Sequence, residues 1–214
     1  MAELYLIRHG QASFGADNYD CLSEKGHAQS AALGDWLRST GWTPDRLVTG
    51  TLERQRDTLT AMGYDDASEE HAGFNEYDFH NLLMARFQGQ MPDDVRGDRK
   101  SHFRTLRDTV LEWQAGGLPD ASESYQTFVD RTAAAMEHAT RDGARRVLVV
   151  TSGGVIGQLV SSAMEAPARM MMELNLQIKN TAVTKFVFSG TRHFVHQFNA
   201  TPHFDTDHDL LTYS

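Results

Sequence analysis

The chain has 214 residues, 40% hydrophobic and 23% charged, which is enough for one sizeable core and short for two. A formal charge of -9 argues against a basic surface for nucleic acid or anionic membrane, so any anion must be met locally. The single cysteine, Cys21, excludes an internal disulfide, and no apolar run approaches the roughly 20 residues of a membrane span; the expectation is a reduced, cytoplasmic protein.

In chain order, "LYLI" at 4–7 is a short apolar strand that ends in Arg8-His9-Gly10-Gln11. Ser23 caps a helix to about Arg38, with Ala28, Ala31, Ala32, Trp36 and Leu37 at helical spacing and Gly41 closing it. "RLVT" at 46–49 predicts a second strand, followed from Gly50 by a helix to about Met62. From Asp65 to Ser124 the pattern loosens. "FNEYDF", a helix at 79–88, a break at Pro92, Asp93, Asp94 and Gly97, a helix near 99–114 and the loop "AGGLPDAS" predict an insertion over about 65–124, covering one end of the sheet. A helix from about Glu123 to Arg141 leads to the strand "VLVV" at 147–150, whose "TSGG" ending opens another helix near 155–164. "TAVTKFVF" and "RHFVHQF" flank Ser189-Gly190-Thr191 as an antiparallel edge hairpin. The alternation predicts a single domain over 1–214, an α/β three-layer sandwich whose mostly parallel central sheet is flanked by helices.

In open α/β sheets ligands collect beyond the carboxyl ends of the strands. Three endings qualify: residues 8–11, 49–54 and 151–154. Their glycines admit backbone amides, helix N-termini point N–H groups at a ligand, and two arginines can clamp oxygens bidentately. A phosphoryl group fits, held by Arg8, Gly10, Gln11, Arg54, Ser152 and Gly153. His9 supplies a nucleophile, because neutral imidazole attacks phosphorus near neutral pH and the phosphoramidate can later be hydrolysed. The leaving alcohol needs a proton, and Glu76, flanked by Phe74, Tyr77 and Phe79, is an acid whose apolar surroundings favour the protonated form.

Five blocks, "LIRHGQ", "YDCLSEKG", "TGTLERQRDT", "FNEYDF" and "VLVVTSGGVI", in this order, resemble the histidine phosphatase superfamily, the phosphoglycerate mutase-like family, over about residues 3–200. The resemblance implies one α/β domain, a phosphohistidine on His9, phosphate-binding Arg8 and Arg54, proton donation by Glu76, and neither metal nor organic cofactor. Two positions depart from the family pattern. Ser152 stands where a second histidine usually hydrogen-bonds the phosphate, as in a branch that reads "TSGG" here and begins "RHGQASF". Near Gly15 the usual phosphate-binding asparagine is missing, and Asn18 is out of register. One hydrogen bond to a charged group contributes roughly 1.5–3 kcal/mol, so its loss slows turnover about ten- to a few hundred-fold. The expected function is phosphomonoester hydrolysis at reduced speed on a small phosphorylated substrate. The alternatives are a catalytically impaired protein that binds a phosphorylated ligand or partner, and a phosphoglycerate-type mutase.

Other readings stay open at this level. Helical periodicity does not choose between Arg54 and Arg56, and Glu69 and Glu70 rival Glu76 as acid. Ser152 can cap the helix that follows it, and His80 lies close enough in sequence to replace the absent histidine. The tail "HFDTDHD" at 203–209 reads as an acidic, solvated terminus more readily than as a hard-cation site, "RMMME" at 169–173 as core filling, and Lys100 to Arg107 as a basic helix face or an attractor of anionic substrate. The oligomeric state is open, a homodimer through the edge hairpin included.

Overall fold

The computed structural model describes residues 1–13, 20–64, 68–90, 99–141, 143–205 and 208–213. Asn18 and the break at Pro92, Asp93, Asp94 and Gly97 lie outside the described residues, as does the side chain of Lys100.

Six strands form one sheet in the order β3-β2-β4-β1-β5-β6. They are β1 (Ala2–Arg8), β2 (Arg46–Thr49), β3 (Glu69–Glu70), β4 (Arg146–Thr151), β5 (Val183–Ser189) and β6 (Arg192–Ala200). The first four in spatial order are mutually parallel, while β5 runs antiparallel to β1 and β6 antiparallel to β5. The helices are α1 (Glu24–Ser39), α2 (Glu53–Ala61), α3 (Phe79–Arg86), α4 (Arg99–Gln114), α5 (Tyr125–Thr140), α6 (Gly153–Ala163) and α7 (Arg169–Asn175). Among the described residues no helix is long and apolar enough to cross a membrane.

The continuous apolar runs of β1 and β4 are explained by burial on both faces. Leu4, Leu6, Val147 and Val149 join a core built with α5, α6 and the aromatic residues Phe74, Trp113 and Phe128. Ile7, Leu148 and Val150 face the other way, against Leu33, Leu37, Leu59 and Met62 of the α1–α2 layer. Arg8 pairs in register with Thr151, and the His9 amide donates to the Thr151 carbonyl at 2.9 Å. The ends of β1 and β4 therefore stand side by side, which brings "RHG" next to "TSGG".

Three elements differ from expectation. β3 lies inside the segment read as an insertion; its two glutamates carry no apolar signal, and backbone pairing with β2 alone defines it. α7 emerges from "RMMME", with Met171 and Met172 fully buried, so these methionines fill core space as expected but do so within a helix. The C-terminal segment keeps Asp205 and Asp209 exposed, as expected, but it is anchored: Phe204 is buried, His203 hydrogen-bonds Thr181, and the Thr212 hydroxyl donates to Asn180. One apolar ring and hydrogen bonds to the segment before β5 hold it in place despite its acidic composition.

Candidate active site

His9 is buried at the end of β1, on the face covered by α2. Its Nδ1 lies 2.7 Å from the Gly10 carbonyl, which can only accept, so Nδ1 carries the proton and Nε2 presents a lone pair. The Arg54 Nε–H donates to that Nε2 at 3.2 Å. Burial first, and then the charges of Arg54 and Arg8, push the imidazole pKa well below its ordinary value of 6.5. The ring is neutral at pH 7, with its unprotonated nitrogen against a guanidinium.

Arg54 occupies the first turn of α2 and is held by Asp20, whose Oδ1 lies 2.5 Å from Nη1. The other oxygen of Asp20 accepts from the Glu53 amide at 2.9 Å. One carboxylate thereby caps the α2 N-terminus and aims its arginine, a favourable use of negative charge at that end of a helix. Arg56, by contrast, points to Glu70 at 3.7 Å, and Glu69 pairs with Arg46 at 2.9 Å. These rivals from the sequence face away from His9. The Arg8 Nη1 donates to the Ile178 carbonyl, and its charge reaches both His9 and Glu76.

Gly10 and Gln11 are placed beside His9, with their amides already engaged. The Gly10 N–H donates to Thr58 Oγ1 at 2.9 Å, and the Gln11 N–H to Gln29 Oε1 at 2.8 Å. Gly10 is required by packing as well: a β-carbon there would lie 2.6 Å from the Gly26 carbonyl of α1.

Glu76 is brought to the same end of the sheet by a loop whose three preceding carbonyls are all held. Arg131 of α5 donates to Gly73 O at 3.1 Å and Asn75 O at 2.7 Å, while Phe74 O accepts from Gln55 Nε2 at 3.0 Å and from Thr151 Oγ1 at 2.7 Å. The carboxyl accepts from the Gly154 amide at 2.9 Å and from its neighbour Tyr77 N at 3.2 Å. Burial nonetheless outweighs these bonds and the two arginines, raising its pKa above the ordinary 4.5. Close approach depends on "GG". A β-carbon on Gly154 would sit 2.2 Å from Glu76 Oε1, and one on Gly153 2.3 Å from Asn175 Oδ1.

Ser152 is fully buried, and its side chain makes no capping bond to α6. Its Oγ instead accepts from Gln55 Nε2 at 2.9 Å. His80 is exposed on α3 and makes no part of this cluster. Asp20, Gln55 and Arg131 were not legible as site residues, because each acts on a backbone group or side chain far away in sequence. Among the described residues, no group of three His, Cys, Asp or Glu side chains is arranged to hold a metal ion. The cluster offers a neutral nucleophile, two cations and an acid of raised pKa around one point, a set suited to in-line displacement at a phosphoryl group.

Comparison with known proteins agrees in kind. Residues 4–201 match the family described as histidine phosphatase superfamily (branch 1). The chain is 25% identical over 199 residues to the "Probable phosphoglycerate mutase GpmB" of Salmonella typhi, covering 90% of this chain and 87% of that one. Among solved structures, a mutant phosphoserine phosphatase from Entamoeba histolytica in complex with phosphoserine superposes with a TM-score of 0.68 at 20% identity, over 95% of this chain and 99% of the other. The alpha-ribazole phosphatase of Shigella flexneri gives 0.69 at 19% identity, over 93% and 96%. These structural likenesses establish the fold.

Proposed function

The chain belongs to the histidine phosphatase superfamily (branch 1), and from that premise we propose that it hydrolyses small phosphomonoesters through a phosphohistidine on His9. The observation that carries this reading is the tautomer: Nδ1–H is tied to Gly10 O, so Nε2 is free of a proton and lies beside Arg54. Nε2 attacks phosphorus as the ester P–O bond breaks. The carboxylic acid of Glu76 gives its proton to the departing alkoxide. Water then attacks the phosphohistidine, its proton passes to the Glu76 carboxylate, and inorganic phosphate leaves.

In this reading Arg8 and Arg54 bind the phosphoryl oxygens, and Ser152 with Gly153 takes the place of the second histidine of the family pattern. A hydroxyl is a shorter and weaker donor than an imidazolium, so turnover is slowed but retained. The work is assigned to the cytoplasm, with no metal or organic cofactor. Incubation with a panel of labelled phosphomonoesters followed by acid-labile phosphohistidine detection tests it. Label on His9 that is absent in His9→Ala supports the mechanism; turnover that survives His9→Ala overturns it.

The name of the Salmonella relative favours a second reading, transfer of phosphate within a phosphoglycerate-type acid. Product analysis separates the two, since a mutase yields an isomeric phosphoester where a phosphatase yields inorganic phosphate. The Ser152 departure favours a third, a protein that binds a phosphorylated ligand without turning it over, and the same label on His9 excludes it.

A further inference from the structure

α2 holds both strand endings of the site with two consecutive side chains. Arg54 donates to His9 Nε2 at the end of β1, and Gln55, the next residue, donates to Ser152 Oγ at the end of β4. Gln55 is fully buried. Its amide offers two N–H groups and one carbonyl, and each is engaged: Nε2 donates to Phe74 O at 3.0 Å and to Ser152 Oγ at 2.9 Å, while Oε1 accepts from the Leu52 amide at 3.3 Å. The opposite amide orientation would set Oε1 against the Phe74 carbonyl, acceptor against acceptor, and Nε2 against the Leu52 N–H, donor against donor. The backbone therefore fixes which atom faces Ser152.

The consequence lies on the serine. A hydroxyl has one proton and two lone pairs, and here a lone pair is used by Gln55. Among the described residues Ser152 Oγ meets only that donor, and its side chain does not cap α6. Its proton is thus directed away from Gln55 and meets no acceptor among the described residues. Ser152 immediately follows Thr151, the register partner of Arg8, as His9 follows Arg8, so the hydroxyl belongs to the same corner as the nucleophile.

We propose that Gln55 is a positioning residue of the phosphate site, one that holds the Ser152 hydroxyl as a hydrogen-bond donor to the phosphoryl group attacked by His9. This rests on the phosphatase reading above. It assigns to a buried glutamine and a serine, acting together, the donor role that a lone side chain usually fills. Gln55 touches no reacting atom; it acts through Ser152 and, by way of Phe74 O, through the loop that carries Glu76.

A double-mutant cycle tests it, using p-nitrophenyl phosphate turnover and orthovanadate inhibition on the full chain. Loss of one donor to a charged transition state corresponds to about 10- to 100-fold in kcat, and Ser152→Ala is expected to show it. Gln55→Met, similar in volume but without the amide, is expected to lose kcat and vanadate affinity to a similar degree with KM little changed. The double variant is expected to be no worse than the poorer single one. Gln55→Glu supplies the second arm: its ionised carboxylate draws the Ser152 proton away from substrate, so kcat falls and recovers only at pH values that protonate it. Losses that multiply in the double variant, or a Gln55→Met protein with a lower Tm and unchanged kcat, overturn the assignment to Gln55 alone. A wild-type protein that neither turns over a phosphomonoester nor binds vanadate overturns the phosphatase reading itself, and this inference with it.

Discussion

Arg54 donates its Nε–H to the lone pair of His9 Nε2 across 3.2 Å, while Asp20 grips the far side of the same guanidinium at 2.5 Å. The relationship disfavours a protonated His9. A protonated imidazole would set N–H against N–H and cation against cation in a buried place, so the ring stays neutral and its pKa falls. Glu76 moves the other way, because burial favours its uncharged form.

These opposite shifts predict the pH profile. kcat/KM falls on the acid side as His9 becomes protonated, at a value well below 6.5, and on the basic side as Glu76 loses its proton, at a value above 4.5. Activity therefore peaks between these two values. In kcat/KM, which reports the first chemical step, Glu76→Gln is expected to abolish the basic limb and to cost about 10²–10⁴-fold on alkyl phosphates, but far less on p-nitrophenyl phosphate, whose leaving group needs no proton. Equal losses in kcat/KM on both substrates would remove Glu76 from the acid role.

Asp20 aims Arg54, and its removal should be felt in catalysis more than in stability. The carboxylate is one-third exposed, so the ion pair adds little to folding. Asp20→Ala is expected to lower kcat/KM about tenfold, a loss of roughly 1.4 kcal/mol in transition-state binding, with a modest fall in Tm from the lost cap on α2. Unchanged kinetics would show that the guanidinium is held without Asp20.

Gly154 separates space from backbone freedom. A β-carbon there would sit 2.2 Å from Glu76 Oε1 and 2.4 Å from Tyr77 Cε1. Gly154→Ala must push the acid aside, so it is expected to match the alkyl-phosphate loss of Glu76→Gln and to lower Tm. Gly41→Ala is the control. Gly41 has φ +70 and nothing within 4 Å of the added carbon, so it should lose about 1 kcal/mol of stability and keep wild-type kcat.

The sheet was legible because its central strands are uniform apolar runs with abrupt polar endings, and the endings of β1 and β4 marked the candidate site that the fold brings together. Periodicity could not choose between Arg54 and Arg56; the fold separates them by sending Arg56 to Glu70. What stayed hidden is carried by backbone acceptors. Nothing in "TLERQRDT" marks Gln55 as the donor to Phe74 O and Ser152, and nothing near Arg131 marks it as the residue that holds two carbonyls of the Glu76 loop. β3 was equally silent, since two glutamates in a sheet owe their place to pairing and not to hydrophobicity.

His203 predicts acid lability away from the site. The Thr181 hydroxyl donates to Asn180 O at 2.8 Å, so its oxygen accepts from His203 Nε2–H at 2.9 Å, and Nδ1 is buried without a hydrogen-bond partner among the described residues. Burial pushes the pKa from 6.5 to about 4. A folded-state value below the unfolded one means that the stabilisation is complete above pH 6.5 and is lost as pH falls toward 4. The loss is on the order of 3 kcal/mol over that window. His9 contributes in the same direction. Urea midpoints at pH 7 and pH 4.5 should converge in His203→Gln, which keeps a donor for Thr181 but cannot titrate; an unchanged gap would trace the lability elsewhere.

Ser152→His is the substitution that the family pattern invites, and the packing predicts that it fails alone. Ser152 has no exposed surface, and Gln55 Nε2 lies 2.9 Å from its Oγ. An imidazole at this position must displace the amide, which leaves Phe74 O short of a donor and overpacks the α2 face at a cost of about 1–3 kcal/mol. Ser152→His is therefore expected to lower Tm and to leave kcat no higher than wild type. Gln55→Ala combined with Ser152→His vacates the volume the ring needs. The pair is expected to recover Tm relative to Ser152→His and to raise kcat above it, measured on one phosphomonoester at one pH. A Ser152→His protein that is by itself stable and faster than wild type would show that Gln55 yields without cost, and that serine and glutamine are not the coupled unit this packing requires.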